Sequence, residues 1–449
     1  MQISEINQLL AANNTKLADY ALKQWLELYP NDPEPLMLAL RSADTGTVRK
    51  ALKLAVAHHP KACIATIVEL LKNPDHIIRR EVVMRLDPSM GPTAATAIRG
   101  IFTSDQPDTH PHVIATAVVA VGRFRLEAEL ITPYLRHKDD RVRANTVRGL
   151  AMLAPPDLRK HLEPRLHDSS TRVQNEAIKA LAPLITEADI ENLILRRIAS
   201  PDVKIRAATA DLIGNLPLSR KVAHLCTMLS DTEARVIAVA ARVLAQLGDS
   251  TGIRTITNTY FTTPDEEVAN GLSEIMASIP PDKVIPLAER YLPVQAAPEP
   301  IVRRTLNIVS QSAGWEGFLP WIIGAVQRHE PDLRISALTI MLKHADFFTA
   351  QLDELIKNVD RITQPKERAM AALLRWRAGR FDGFETLKTM LYDQASIESR
   401  QAAAKVLQGE SGILARQILA EAARAGIREA LIDSQEGKAL VTTSIKLPL

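Results

Sequence analysis

Cysteine is nearly absent: Cys63 and Cys226 are the two in 449 residues. A disulfide framework is excluded at that density, and a reducing compartment fits. Aromatic residues make up only 4% of the chain, which argues against a sheet-rich core. No long hydrophobic run occurs. The most apolar stretch, residues 113–122, falls well short of the roughly 18 residues a membrane span needs. Nor does one sign of charge dominate: 55 Lys and Arg stand against 52 Asp and Glu, a formal +3, so no global field favours nucleic acid or an anionic lipid surface. Met1-Gln2-Ile3-Ser4-Glu5-Ile6 shows no basic segment followed by an apolar one. The expectation is a cytoplasmic protein without membrane insertion. Catalytic signatures are missing as well, with no Gly-x-Gly-x-x-Gly, no phosphate-binding loop, no Gly-x-Ser-x-Gly and no His-Glu-x-x-His. No catalytic residue, metal ligand or cofactor is expected.

What the chain does have is a period. An aliphatic residue, often followed by Arg, precedes a small residue four places on and another aliphatic eight or nine places on, as in Val142-Arg143…Thr146…Leu150 and Val236…Ala240…Leu244. Anchors of this kind stand at Leu17, Val48, Ile78, Val113, Val142, Val173, Ile205, Val236, Val268, Val302 and Leu333, with weaker matches at Glu367 and Ser399. Their intervals run from 29 to 35 residues, the mark of a repeat array.

Anchor, +4 and +8 share one helical face, which must be buried against a neighbour. They define the second helix of each unit. Upstream segments such as Leu130-Ile131-Thr132-Pro133-Tyr134-Leu135, Lys160-His161-Leu162-Glu163-Pro164-Arg165-Leu166 and Asp282-Lys283-Val284-Ile285-Pro286-Leu287 read as first helices. Turns rich in Asp, Ser and Pro join the two, including Lys138-Asp139-Asp140 and Ser200-Pro201-Asp202, and such residues cap the helix that follows. Gly122, Gly214, Gly248 and Gly409 are expected to end second helices in the left-handed conformation.

A proline in the first helix, an Asp-bearing turn, Val-Arg-x-x-Ala and a closing Leu247-Gly248-Asp249 resemble HEAT repeats, especially their short bacterial form. Trp25-Leu26-Glu27-Leu28-Tyr29-Pro30-Asn31-Asp32-Pro33-Glu34 resembles a tetratricopeptide helix and its exit turn. The resemblance implies an all-α fold, a right-handed α-α superhelix (HEAT-like solenoid) of about thirteen helical hairpins. It divides into tetratricopeptide-like helices over 1–40, a HEAT-like array over 41–345, degenerate C-terminal repeats over 346–434 and a tail over 435–449. Arginines at anchor +1 (Arg49, Arg79, Arg143, Arg206, Arg303, Arg334) are expected, as in HEAT-like arrays, to bond turn aspartates and hold units in register. Trp315, Phe318, Leu319 and Ile322 form a buried stripe; Trp321 falls off it and is expected to be partly exposed. His110-Pro111-His112 and His58-His59 read as helix-end histidines, since a metal needs three or four ligands.

Positions opposite the buried stripe carry the functional expectation. At +6 stand Leu54, Met84 and Val119, then Arg148, Lys179, Asp211, Arg242, Glu274 and Ile308, a series apolar at first and then mixed but cation-leaning, while +9 is small at Ala151, Ala182, Gly214, Ala245 and Ala277. Second helices of a solenoid usually turn this face to the concave side. Residues 136–260 hold 19 Lys and Arg against 14 Asp and Glu, a local +5. The expected role is a non-enzymatic protein-binding scaffold or adaptor. Apolar +6 residues would seat a partner helix and the cations would meet its acidic residues. Nucleic-acid binding is the alternative the resemblance offers, since some HEAT-like proteins, alkylpurine DNA glycosylases among them, hold duplex DNA in a basic groove. A further one is a bilin lyase-like accessory role, which two isolated cysteines argue against.

Overall fold

The computed structural model describes residues 14–312, 314–348 and 364–431. Met1–Ile6, residues 349–363 of the 346–434 block and the 435–449 tail lie outside them. No strand occurs among the described residues. Thirteen second helices, one per repeat, are Thr15–Leu28 (α1), Thr45–His58 (α2), His76–Arg85 (α3), Pro111–Arg123 (α4), Asp140–Leu153 (α5), Thr171–Leu181 (α6), Val203–Gly214 (α7), Ala234–Leu247 (α8), Glu266–Ser278 (α9), Glu299–Gln311 (α10), Pro331–Lys343 (α11), Pro365–Arg377 (α12) and Ile397–Gln408 (α13). Two compact units divide between Ser219 and Arg220, so α1–α7 belong to the first and α8–α13 to the second.

Each unit is built from the anchor stripe. Val113, Ala117 and Val121 of α4, Val142, Thr146 and Leu150 of α5, Val173, Ala177 and Leu181 of α6, and Val236, Ala240 and Leu244 of α8 are all buried. In α1 the inward face starts one residue later than the spacing suggests. It runs through Ala18, Leu22 and Trp25 and leaves Leu17 exposed. Aspartates begin five of the thirteen second helices: the side chains of Asp44, Asp75, Asp139, Asp202 and Asp265 accept from N–H groups of the first turn, each cap contributing about 1 kcal/mol. Thr47 and Thr15 donate hydroxyl hydrogen bonds to Asp44 and hold its carboxyl below the usual range.

Three expectations need correction. Of the four glycines, Gly248 alone is left-handed, at φ 68°. Gly122 lies inside α4, Gly214 is the last residue of α7, and Gly409 is right-handed. Gly122 instead allows close approach, because a Cβ there would stand 2.7 Å from the carbonyl oxygen of Gly149 in α5. Second, two first helices are largely not α-helical. The element before α5 is the 3-10 turns Ala128–Leu130 and Thr132–Arg136, and the one before α6 is Leu158–Leu162 continued as 3-10 over Glu163–His167. Pro133 and Pro164 stand at their starts, where a proline withholds one N–H from the helical ladder. Third, Trp321 is buried, 2% exposed. Its helix, Leu319–Val326, buries Trp321, Ile322, Gly324, Ala325 and Val326, and its open side lies at the exposed Pro320 and the half-buried Ile323 rather than at Trp321.

The +1 arginines hold the units in register by a two-ended clamp. Arg143 donates through Nη1 to the carbonyls of His137 and Lys138 in its own turn, and through Nε and Nη2 to Asp168 of the next unit at 3.0 and 2.7 Å. Arg79 repeats this with Asn73, Pro74 and Asp108, and Arg334 with Arg328, His329 and Glu367. Arg206 holds the carbonyls of Ser200 and Pro201. Arg49 pairs with Glu81. Arg303 departs from the pattern and pairs with Glu299 on its own helix. The adjacent Arg304, buried, grips the carbonyls of Tyr260, Phe261 and Thr263 and the carboxylate of Glu266. Arg400 carries the clamp into the last repeats, reaching the carbonyl of Asp393 and the carboxylate of Glu429.

Candidate partner-binding face

The second helices of the first unit run parallel, so equivalent residues line up across them. Leu54 of α2 and Val119 of α4 are half-buried and pack on the core, whereas Met84 of α3 is 45% exposed. Ile77, two turns before Met84 on α3, is also exposed. On α5 and α6 the same position turns polar: Arg148 lies 3.8 Å and Lys179 3.3 Å from the carboxylate of Glu176, which sits between them. The first unit therefore brings Leu54, Met84, Val119, Arg148 and Lys179 onto successive helices. Arg242 is exposed on α8 in the second unit and engages a group of its own.

A second row on the same helices has no counterpart in the +6 reading. The second residue of α5, α6 and α7 is Arg141, Arg172 and Lys204, all exposed. Arg141 pairs with Asp139, its own cap, at 2.7 Å. Among the described residues neither Arg172 nor Lys204 has a carboxylate partner. The signal was available in the sequence, since these cations occupy one fixed offset, the residue before the anchor, and Arg235 on α8 repeats it.

At α4 that position is His112, and on α3, where it is Ile77, the preceding His76 stands beside it. His76 and His110 stack with ring centroids 3.8 Å apart, and His112 meets His110 edge-on at 5.3 Å. His110 Nδ1 accepts from the His112 N–H and so caps α4. Burial first, then the facing His76 and His112, push the His110 pKa down, while Asp108 pulls the other way. Stacked rings do not converge their nitrogens, and no group of three His, Cys, Asp or Glu among the described residues could hold a metal.

Residues 127–210, covering α5, α6 and most of α7, match the HEAT repeats family model. These residues are HEAT repeats. The hairpins on either side share the buried stripe, and some repeat the arginine clamp, so the described chain is an all-helical array of HEAT-like hairpins. Among solved structures, Kap95p, which binds RanGDP, is 12% identical with a TM-score of 0.41, covering 98% of this chain and 71% of its own. Kap121p bound to Ste12p is 12% identical with a TM-score of 0.45, covering 94% of this chain and 50% of its own. Human deoxyhypusine hydroxylase is 15% identical with a TM-score of 0.25, covering 56% and 95%. Likenesses this remote carry no functional weight. No curated protein matches the chain. No helix among the described residues is long and apolar enough to cross a membrane.

Proposed function

We propose that the chain is a non-enzymatic protein-binding scaffold or adaptor that holds a partner segment along the +6 face of the second helices of its first unit, the face a solenoid turns to its concave side. One observation carries the reading: the face changes from the apolar Ile77 and Met84 on α3, with Leu54 and Val119 beside them, to Arg148 and Lys179 on α5 and α6. An amphipathic helix with its apolar turns on α2–α4 and acidic turns beyond them suits that order. Two free cysteines agree with a cytoplasmic setting.

The test begins by isolating the partner on the full chain and titrating it against Met84→Asp. That change puts a charge where apolar burial is expected, and affinity should fall while helical content stays constant. Affinity unchanged in Met84→Asp and in the Arg148→Glu/Lys179→Glu pair would remove the site from this face.

A further inference from the structure

We infer that the turn edge of the first unit, where α5, α6 and α7 begin, binds an extended acidic polypeptide through Arg141, Arg172 and Lys204. The inference rests on the scaffold reading and names the partner's chemistry. A cation in the first turn of a helix opposes the positive end of the helix dipole and is mildly destabilising. Yet the second residue of three consecutive second helices is a cation, and α6 and α7 have no acidic residue in their first turn to offset it. Placement that stability disfavours, repeated once per unit and left exposed, is explained by an anion from outside.

The helix ends themselves are not the receptor. N–H groups at the starts of α5 and α7 already bond to Asp139 and Asp202, and the Ser170 N–H before α6 bonds to Asp168. The available charge is on side chains: Arg141 shares its charge with Asp139, but Asp168 is committed to Arg143 and Arg165, which leaves Arg172 and Lys204 without a carboxylate among the described residues.

Spacing selects the occupant. Packed helices lie about 9–10 Å apart, and an extended polyproline-II chain advances about 3.1 Å per residue with three residues per turn, so a carboxylate at every third residue returns to the same side and meets one cation per repeat. Duplex nucleic acid carries a charge about every 1.7 Å. Its excess phosphates would face Asp139, Asp140 and Asp202, which interleave with the cations. Spaced carboxylates avoid those aspartates.

The experiment uses the full chain and a fluorescein-labelled peptide with Glu at every third residue, read by anisotropy. A peptide of equal composition with its Glu residues clustered and a single-stranded oligonucleotide of equal charge serve for comparison. The spaced peptide should bind best, weaken with salt, and lose roughly tenfold or more in affinity to Arg172→Glu/Lys204→Glu at an unchanged melting temperature. Should that pair perturb folding, Arg172→Gln/Lys204→Gln should show a smaller loss in the same direction. No binding of the spaced peptide, equal affinity for wild type and variant, or tighter binding of the oligonucleotide overturns the inference. A natural partner lost in Met84→Asp but retained in Arg172→Glu/Lys204→Glu overturns this edge alone and leaves the scaffold reading standing.

Discussion

Gly122 of α4 and Gly149 of α5 face one another with no side chain between them, so the two helices meet backbone to backbone. A Cβ on Gly149 would collide with the Val118 carbonyl and stand 2.9 Å from Ile131 Cδ1. Carbonyl oxygens in a helix cannot move aside as a flexible side chain can. Gly149→Ala should therefore destabilise the first unit by about 1–3 kcal/mol, the usual result of overpacking, even though alanine is the better helix former. A thermal melt equal to or above wild type would show that the joint relaxes freely.

The Arg143–Asp168 pair should dominate the acid sensitivity of the same unit. Burial opposes ionisation of Asp168, but hydrogen bonds from Arg143 and the Ser170 N–H, with the charges of Arg143 and Arg165, outweigh it and hold the carboxyl below its ordinary value. A depressed folded pKa gives stability that is full above the unfolded carboxyl value, about 3.9, and is lost as pH falls through the folded value. Asp168→Asn should remove that acid slope. At neutral pH it should cost about 3 kcal/mol, since Arg143 would remain largely buried without its counter-ion. Denaturant midpoints at neutral and acid pH report both effects.

The histidine stack has a dependence of the same sign in a higher pH window. With its folded pKa below the unfolded value of about 6.5, His110 stays neutral while the unfolded chain takes up a proton, so stability falls as pH drops through 6.5 and levels off below the folded value. His110→Asn preserves a good N-cap and should flatten the slope between pH 7.5 and 5.5. An unchanged wild-type-minus-variant difference across that window would deny His110 this role.

Burial rather than hydrophobicity decides the outcome of polar substitution in the second unit. Val236 is fully buried in α8, whereas Ile413 is 83% exposed. Val236→Asp should abolish the folded unit or lower its melting temperature sharply, because an unpaired charge enters the core. Ile413→Asp should leave the melt within about 0.5 kcal/mol of wild type. Equal effects would contradict the register of α8.

The anchor stripe was legible because burial in these hairpins repeats with the helical period, and Val142, Val173 and Val236 announce it without reference to anything outside their own helix. Trp321 was not, because the spacing of Trp315, Phe318 and Ile322 does not fix how wide the buried side is, and the open side of its helix lies at Pro320 and Ile323. The 3-10 elements escaped notice since Pro133 and Pro164 are compatible with the start of either helix type. In the same way Arg303 read as the clamp residue because it holds the right offset, although the buried donor is its neighbour Arg304. Of the candidate face, the +6 positions could be counted from the period alone. The Glu176 carboxylate between Arg148 and Lys179 could not, because it depends on how α5 packs on α6.

The arginine clamp also makes the array editable. Arg79 and Arg143 each grip an aspartate that in turn receives an N–H from the residue two places on, His110 after Asp108 and Ser170 after Asp168. Donor and acceptor are written in different repeats but at the same address in each. A unit copied or excised whole from one such address to the next carries a socket at its front and a plug at its back, so the two new neighbours find matching ends. An array joined in this way can change length by whole repeats while each surviving joint keeps the chemistry it had before.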